Sequence, residues 1–149
     1  MSTGNVTVRR LRADDAPAWR ELWAGYLRFY RRSLPSDVTE RSFERLCAGG
    51  DDMHGLVGVA DDQHVAGFAH VVFHASTWTD GTYCYLEDLF VAGPWRGRGV
   101  ARALIARVFD DADERGAARM YWHTQEYNAP ARALYDEVAR RTSFIRYDR

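Results

Sequence analysis

A chain of 149 residues, 46% of them apolar, is large enough to bury one core and too short for two, so a single domain over residues 1–149 is expected. The formal net charge of −1, with basic residues dispersed among acids, argues against a nucleic-acid binder or a protein drawn to membranes by its overall field. All 20 basic residues are arginine, a composition bias that points to a bacterial source.

Residues 6–12 alternate Val6 and Val8 with polar neighbours and read as a first strand. Asp14 and Asp15 then stand where they can cap a helix with Pro17 in its first turn, where the missing N–H does no harm. Trp19, Leu22, Trp23, Tyr26, Leu27 and Tyr30 recur at helical spacing and form a broad apolar face, with Phe29 and Tyr30 placed to line a pocket. A loop over 31–37 breaks this helix, and a second, shorter one is expected over 39–48, closed by Gly49 and Gly50. Residues 54–60 and 65–75 read as an antiparallel hairpin. His70 and His74 fall on one side of its second strand, but a rise of about 3.3 Å per residue separates them by roughly 13 Å. They cannot share a metal ion, so no metal site is expected and both imidazoles read as solvent-facing or pocket-lining. Residues 83–91 follow as a central strand, then a long helix to about Gly116, a strand over 119–125, a helix capped by Asn128, and a last strand over 144–147.

Cys47 and Cys84 fit reduced thiols better than a disulfide or metal site, which favours a cytoplasmic protein. No apolar run approaches the roughly 18–20 residues that cross a bilayer, and the first residues carry no apolar stretch of a secretion signal.

The stretch from Tyr85 to Arg102 carries the chemistry. It reads as a buried strand ending at Val91, a turn marked by Gly93 and Pro94, and two glycines, Gly97 and Gly99, opening a helix with Val100, Ala101, Leu104, Ile105, Val108 and Ala112 on one side. The first turn of a helix holds N–H groups without internal partners and about half a positive charge. Glycines there remove the Cβ atoms that would keep a phosphate away, and Arg96 and Arg98 flank them with charge. No Gly-Lys-Ser/Thr follows, and Arg102 stands where a dinucleotide fold places its third glycine, so nucleotide-triphosphate and dinucleotide loops fit less well.

The spacing Arg96-x-x-Gly99-x-Ala101 resembles the acetyl-CoA pyrophosphate signature of the GNAT superfamily of N-acetyltransferases. The element order β, α, α, β, β, β, α, β, α, β is similar to that fold over essentially the whole chain. The resemblance implies an α+β domain with a mixed, mostly antiparallel sheet of six to seven strands, about four helices, and a central strand pair, here 83–91 and 119–125, splayed around the pantetheine arm. Tyr85 to Val91 and Glu126-Tyr127-Asn128-x-Pro130, followed by Tyr135, are similar to the polyamine acetyltransferase branch.

That resemblance implies roles. Acetyl-CoA is the expected cosubstrate and a small amine the acceptor, attacked in a ternary complex; a non-catalytic acyl-CoA sensor, or a protein amine as acceptor, are the alternatives. Tyr135 would protonate the departing thiolate, since a phenol of ordinary pKa near 10 keeps its proton at neutral pH. Glu87 would take the amine's proton. On an alternating strand Glu87 faces with Tyr85 and Leu89 and Asp88 with Leu86 and Phe90, though a kink would exchange the two. An ion pair with Arg119 or Arg146 is the structural alternative for Glu87, and a plain core position is that for Tyr135. The backbone of Leu89, Phe90 and Val91 is expected on the pantetheine, Gly97 through Arg102 (Arg98, Val100 and Ala101 included) with Arg96 on the pyrophosphate, and Asn128 on the arm. Tyr30, Asp88 and Glu126 are expected on the acceptor side. Arg31 and Arg32 replace the acidic lip of the polyamine branch and disfavour a polycation. The exposed last strand, 144–147, is placed to pair with a second subunit in a homodimer.

Overall fold

The structure, a computed structural model, describes residues 5–149. In chain order it contains β1 (Val6–Arg10), α1 (Ala16–Phe29), α2 (Ser36–Ala48), β2 (Met53–Ala60), β3 (His64–Ala75), β4 (Thr82–Val91), α3 (Val100–Glu114), β5 (Arg119–Tyr121) and α4 (Ala129–Val138), with 3-10 turns at Ala13–Asp15 and Gly93–Trp95. The strands form one sheet in the order β1-β2-β3-β4-β5, antiparallel except for β5, which runs parallel to β4 after the α3 crossover.

Local chemistry sets several boundaries. Gly49, at φ 61°, ends α2 in the left-handed conformation that a residue without Cβ adopts freely. Asp61 and Asp62 turn the β2–β3 hairpin at positive φ, which a short polar side chain tolerates. The Asp15 side chain does not cap α1; it accepts two hydrogen bonds of 2.8 Å from Arg9 and one of 2.8 Å from the Arg12 amide, and so ties β1 to the start of the helix.

Two cores sandwich the sheet. On one face Leu56, Ala69, Val71, Cys84 and Leu86 meet Val100, Leu104, Ile105 and Val108 of α3; on the other Val57, Val59 and Phe68 meet Trp19, Leu22, Phe43 and Leu46 of α1 and α2. Burying each such aliphatic contributes roughly 1.5–3 kcal/mol, so α3 is held firmly. A Cβ on Gly58 would come within 2.8 Å of Val100, so only glycine lets the first turn of α3 seat this closely on β2. In the last turn of α3, Asp111 accepts from His54 Nε2 at 2.8 Å and from Arg107 at 2.9 Å. Burial pushes the His54 imidazole down to about 4, so it makes this bond neutral.

Four sequence expectations are corrected. Among the described residues the sheet has five strands, not six to seven. The strand expected over 119–125 stops at Tyr121, and 144–147 forms none: Phe144, Ile145 and Tyr147 are 85%, 74% and 87% exposed in an irregular tail. A strand needs a ladder, and the tail lines a cleft without forming one, although strand-like composition alone suggested it. His70 is neither solvent-facing nor pocket-lining but only 3% exposed, hydrogen-bonded on both ring nitrogens.

Candidate active site

β4 and β5 pair only through Tyr83–Arg119, Cys84–Met120 and Tyr85–Tyr121. Beyond Tyr85 the two segments part, and a cleft of about 1010 Å³ opens between Leu86–Val91 on one side and Trp122 to Gln125 on the other. This is the splay expected from the sequence, reached with a shorter β5.

One end of the cleft is built from main chain. Gly97 and Gly99 adopt φ of 76° and 84°, and nothing lies within 4 Å of where a Cβ would stand on either. Gly99 begins α3 without a side-chain cap, and among the described residues no main-chain carbonyl accepts from the amides of Gly97 to Arg102. The open ground over these glycines and the unpaired donors suit a diphosphate. Leu89, Phe90, Val91, Arg96, Gly97, Gly99, Val100, Ala101 and Arg102 all line the cleft, whereas Arg98 does not. Arg96 folds back to donate to the Val91 carbonyl at 3.1 Å, Arg98 lies over the Trp95 ring at 5.0 Å, and Arg102 pairs with Glu137. The turn's charge therefore comes from guanidiniums already tethered, and its donors are amides.

The other end is built from side chains, and a β-bulge decides which. His70 pairs across the ladder with Asp88, and the next residue, Val71, pairs with Leu86, so Glu87 is the extra residue. The alternation read from the sequence breaks there: Leu86 and Leu89 share the α3 face, while Phe90 lies on the α1 face. Glu87 opens into the cleft, and Asp88 turns under α1 to bond His70 Nδ1 at 2.8 Å. Asp88 lines a separate small pocket with Trp23, Tyr26, Tyr30 and Arg32. Loss of surrounding water, and then the Asp88 charge, holds the Glu87 carboxyl above the usual carboxylate range. No ion pair with Arg119 or Arg146 forms among the described residues: Arg119 lies over the Tyr83 ring and Arg146 bonds Asp148.

Tyr135 lines the same cleft from α4, its ring edge-on to Trp122 at 5.4 Å. Burial pushes its phenol up to about 12. Asn128 begins α4 without a side-chain cap bond and lines the cleft. Tyr30 reaches the cleft; Glu126 is exposed and outside its lining, with its carbonyl accepting from Arg132. No group of His, Cys, Asp and Glu among the described residues could hold a metal ion.

An acetyltransferase family description, the Acetyltransferase (GNAT) family, matches residues 16–139. The chain belongs to the GNAT acetyltransferase family. GNAT enzymes use acetyl-CoA as donor. Among its relatives is the D-amino-acid N-acetyltransferase HPA3 of Saccharomyces cerevisiae, 33% identical over 150 aligned residues that cover 100% of this chain and 93% of the relative. A thialysine N-epsilon-acetyltransferase of Caenorhabditis elegans is 33% identical over 58% of this chain and 52% of its own length. The fold is shared with AAC(6')-Iy in complex with a CoA-linked bisubstrate analogue, at TM-score 0.82 and 22% identity over 97% of each chain.

Several contacts of this GNAT cleft carried no clear signal in the sequence. Tyr85 bonds His123 Nδ1 at 3.1 Å and stacks on Tyr121 at 4.8 Å, so this part of the cleft wall is aromatic. Phe144, Arg146 and Asp148 reach the cleft from the tail that was expected to be a strand. The alternating Tyr83, Tyr85 and Glu87 offered a hint of the aromatic wall; the tail offered none, because its position depends on no local pattern.

Proposed function

We propose that this GNAT enzyme acetylates the primary amine of a small molecule, with an amino acid favoured over a polycation, by direct attack in a ternary complex. The observation that carries the reading is that Glu87 and Tyr135 open into one cleft whose far end is a row of uncapped amides. Acetyl-CoA brings an activated acyl group. The amides from Gly97 to Ala101 hold its diphosphate, the β4 backbone at Leu89 to Val91 and the Asn128 side chain hold its arm, and these contacts fix the position of the reacting carbon.

Glu87 takes the proton of the incoming ammonium, directly or through a water. A carboxyl raised by its surroundings is a better base once ionised, which narrows the gap to the amine. Tyr135 keeps its phenol proton at neutral pH and gives it to the departing sulfur. Tyr30 and the aromatic wall of Tyr85 border the acceptor. Arg32 in the neighbouring pocket, which forms no ion pair among the described residues, disfavours a polycation and suits an amine that also carries a carboxylate, in keeping with the D-amino-acid acceptor named for the yeast relative.

The test is release of free CoA thiol across D- and L-amino acids, thialysine, diamines and aminoglycosides, with wild type and Tyr135→Phe compared. Expected is turnover on an amino acid that drops on the order of 100-fold in Tyr135→Phe, with CoA binding by calorimetry retained. Turnover unchanged in Tyr135→Phe removes the phenol from the reaction, and preference for spermidine over every amino acid overturns the acceptor class.

A further inference from the structure

Asp88 sits one residue from the proposed base, yet it is turned away into a buried chain of hydrogen bonds that joins three elements. Trp19 of α1, fully buried, donates its indole N–H to His70 Nε2 of β3 at 3.0 Å, and His70 Nδ1 meets the Asp88 carboxylate of β4 at 2.8 Å. An indole nitrogen only donates. His70 Nε2 must therefore present its lone pair, the imidazole proton resides on Nδ1, and that N–H donates to Asp88. A second proton on Nε2 would confront the indole N–H inside the core, with Phe68 stacked on the imidazole at 4.4 Å and no room to turn.

The bulge makes this chain relevant to chemistry. Because Glu87 is the unpaired residue, consecutive carboxylates fall on either side of the strand's kink, one in the cleft and one at the end of the chain. A cationic His70 would cancel the Asp88 charge, and the Trp19 donor opposes that cation. We propose that Trp19 and His70 hold Asp88 as a fixed anion beside Glu87, and that this anion sets the pH at which Glu87 becomes able to accept the amine's proton.

The proposal rests on the reading of Glu87 as base. It makes Asp88 and His70 positioning residues rather than acceptor contacts. The other groups that face Glu87 are Tyr85 and His123, with Tyr121 and Arg146 further off; those that face Asp88 are Tyr26, Tyr30 and Arg32. None of these is changed in the variants below.

Two measurements test it. In the wild-type chain without ligands, nitrogen-detected NMR of the histidine rings should show His70 as the Nδ1–H tautomer. In Asp88→Asn and Trp19→Phe, the acid limb of kcat/KM should move to lower pH by on the order of one unit, as removal of a nearby like charge allows, with KM for the amine close to wild type. An Nε2–H tautomer overturns the proposal. So does an acid limb that stays in place, or a severalfold rise in amine KM with the limb unmoved, which would mark Asp88 as an acceptor contact. Full activity in Glu87→Gln would instead defeat the base reading, while the NMR result would still report on the chain itself.

Discussion

The two ends of the cleft are made in different ways. The cradle at Gly97 to Ala101 is main chain: its donors are amides, its shape comes from two left-handed glycines, and the only tertiary demand is that α3 be anchored, which Val100 against Gly58 provides. The end around Glu87 is side chain: Glu87 and Tyr135 come from β4 and α4, and their properties depend on Asp88, Trp122 and the tail. A main-chain site tolerates side-chain substitution and fails on backbone change. A side-chain site does the reverse, and that contrast can be tested.

The largest effect is expected from Glu87→Gln, which keeps shape and removes the proposed proton acceptor: kcat/KM should fall by about 10²–10⁴, the usual worth of a general base, with CoA affinity unchanged by calorimetry. Gly99→Val should do the opposite. A β-branched residue at φ 84° costs roughly 1–2 kcal/mol of backbone strain and fills the open ground above the amides, so CoA affinity should drop at least about tenfold. Gly116→Val, equally left-handed at φ 67° but outside the cleft, should lower the melting temperature and leave CoA affinity alone.

A smaller effect concerns pH. Glu87 is held above its usual range when folded, so its ionised form is the disfavoured one. By linkage, the stability it contributes is present below the unfolded value and is lost as pH rises through the folded one. Glu87→Gln should accordingly melt slightly higher than wild type at neutral pH and no higher in acid, as followed by calorimetric scans. In wild type kcat/KM should rise with pH through a limb above the ordinary glutamate range. The smallest effect is expected for Arg102→Ala: its pair with Glu137 is exposed on both sides, so stability should change by less than about 1 kcal/mol in a urea titration.

Much of the fold was legible in the sequence because its signals are local. The helices followed their apolar stripes, Gly49 and Gly99 marked helix ends, and the Asp-rich hairpin turned where expected. The end strands were not. Residues 144–147 have strand-like composition, but a strand depends on a ladder with a partner distant in sequence, and the tail forms none. Likewise no pattern in 83–91 reveals the bulge, which depends on how β3 and β4 fit together at His70.

By itself the sequence determined the glycine-rich turn proposed to hold the diphosphate, since amides, glycine dihedrals and helix start are properties of a few consecutive residues. It also determined which residue types were present for acid–base chemistry. Only the tertiary structure decided which carboxylate faces the cleft. A one-residue bulge reverses the side on which every later β4 residue lies, and that choice is made by the fit of Trp19, His70 and Asp88 in the core, not by their order along the chain.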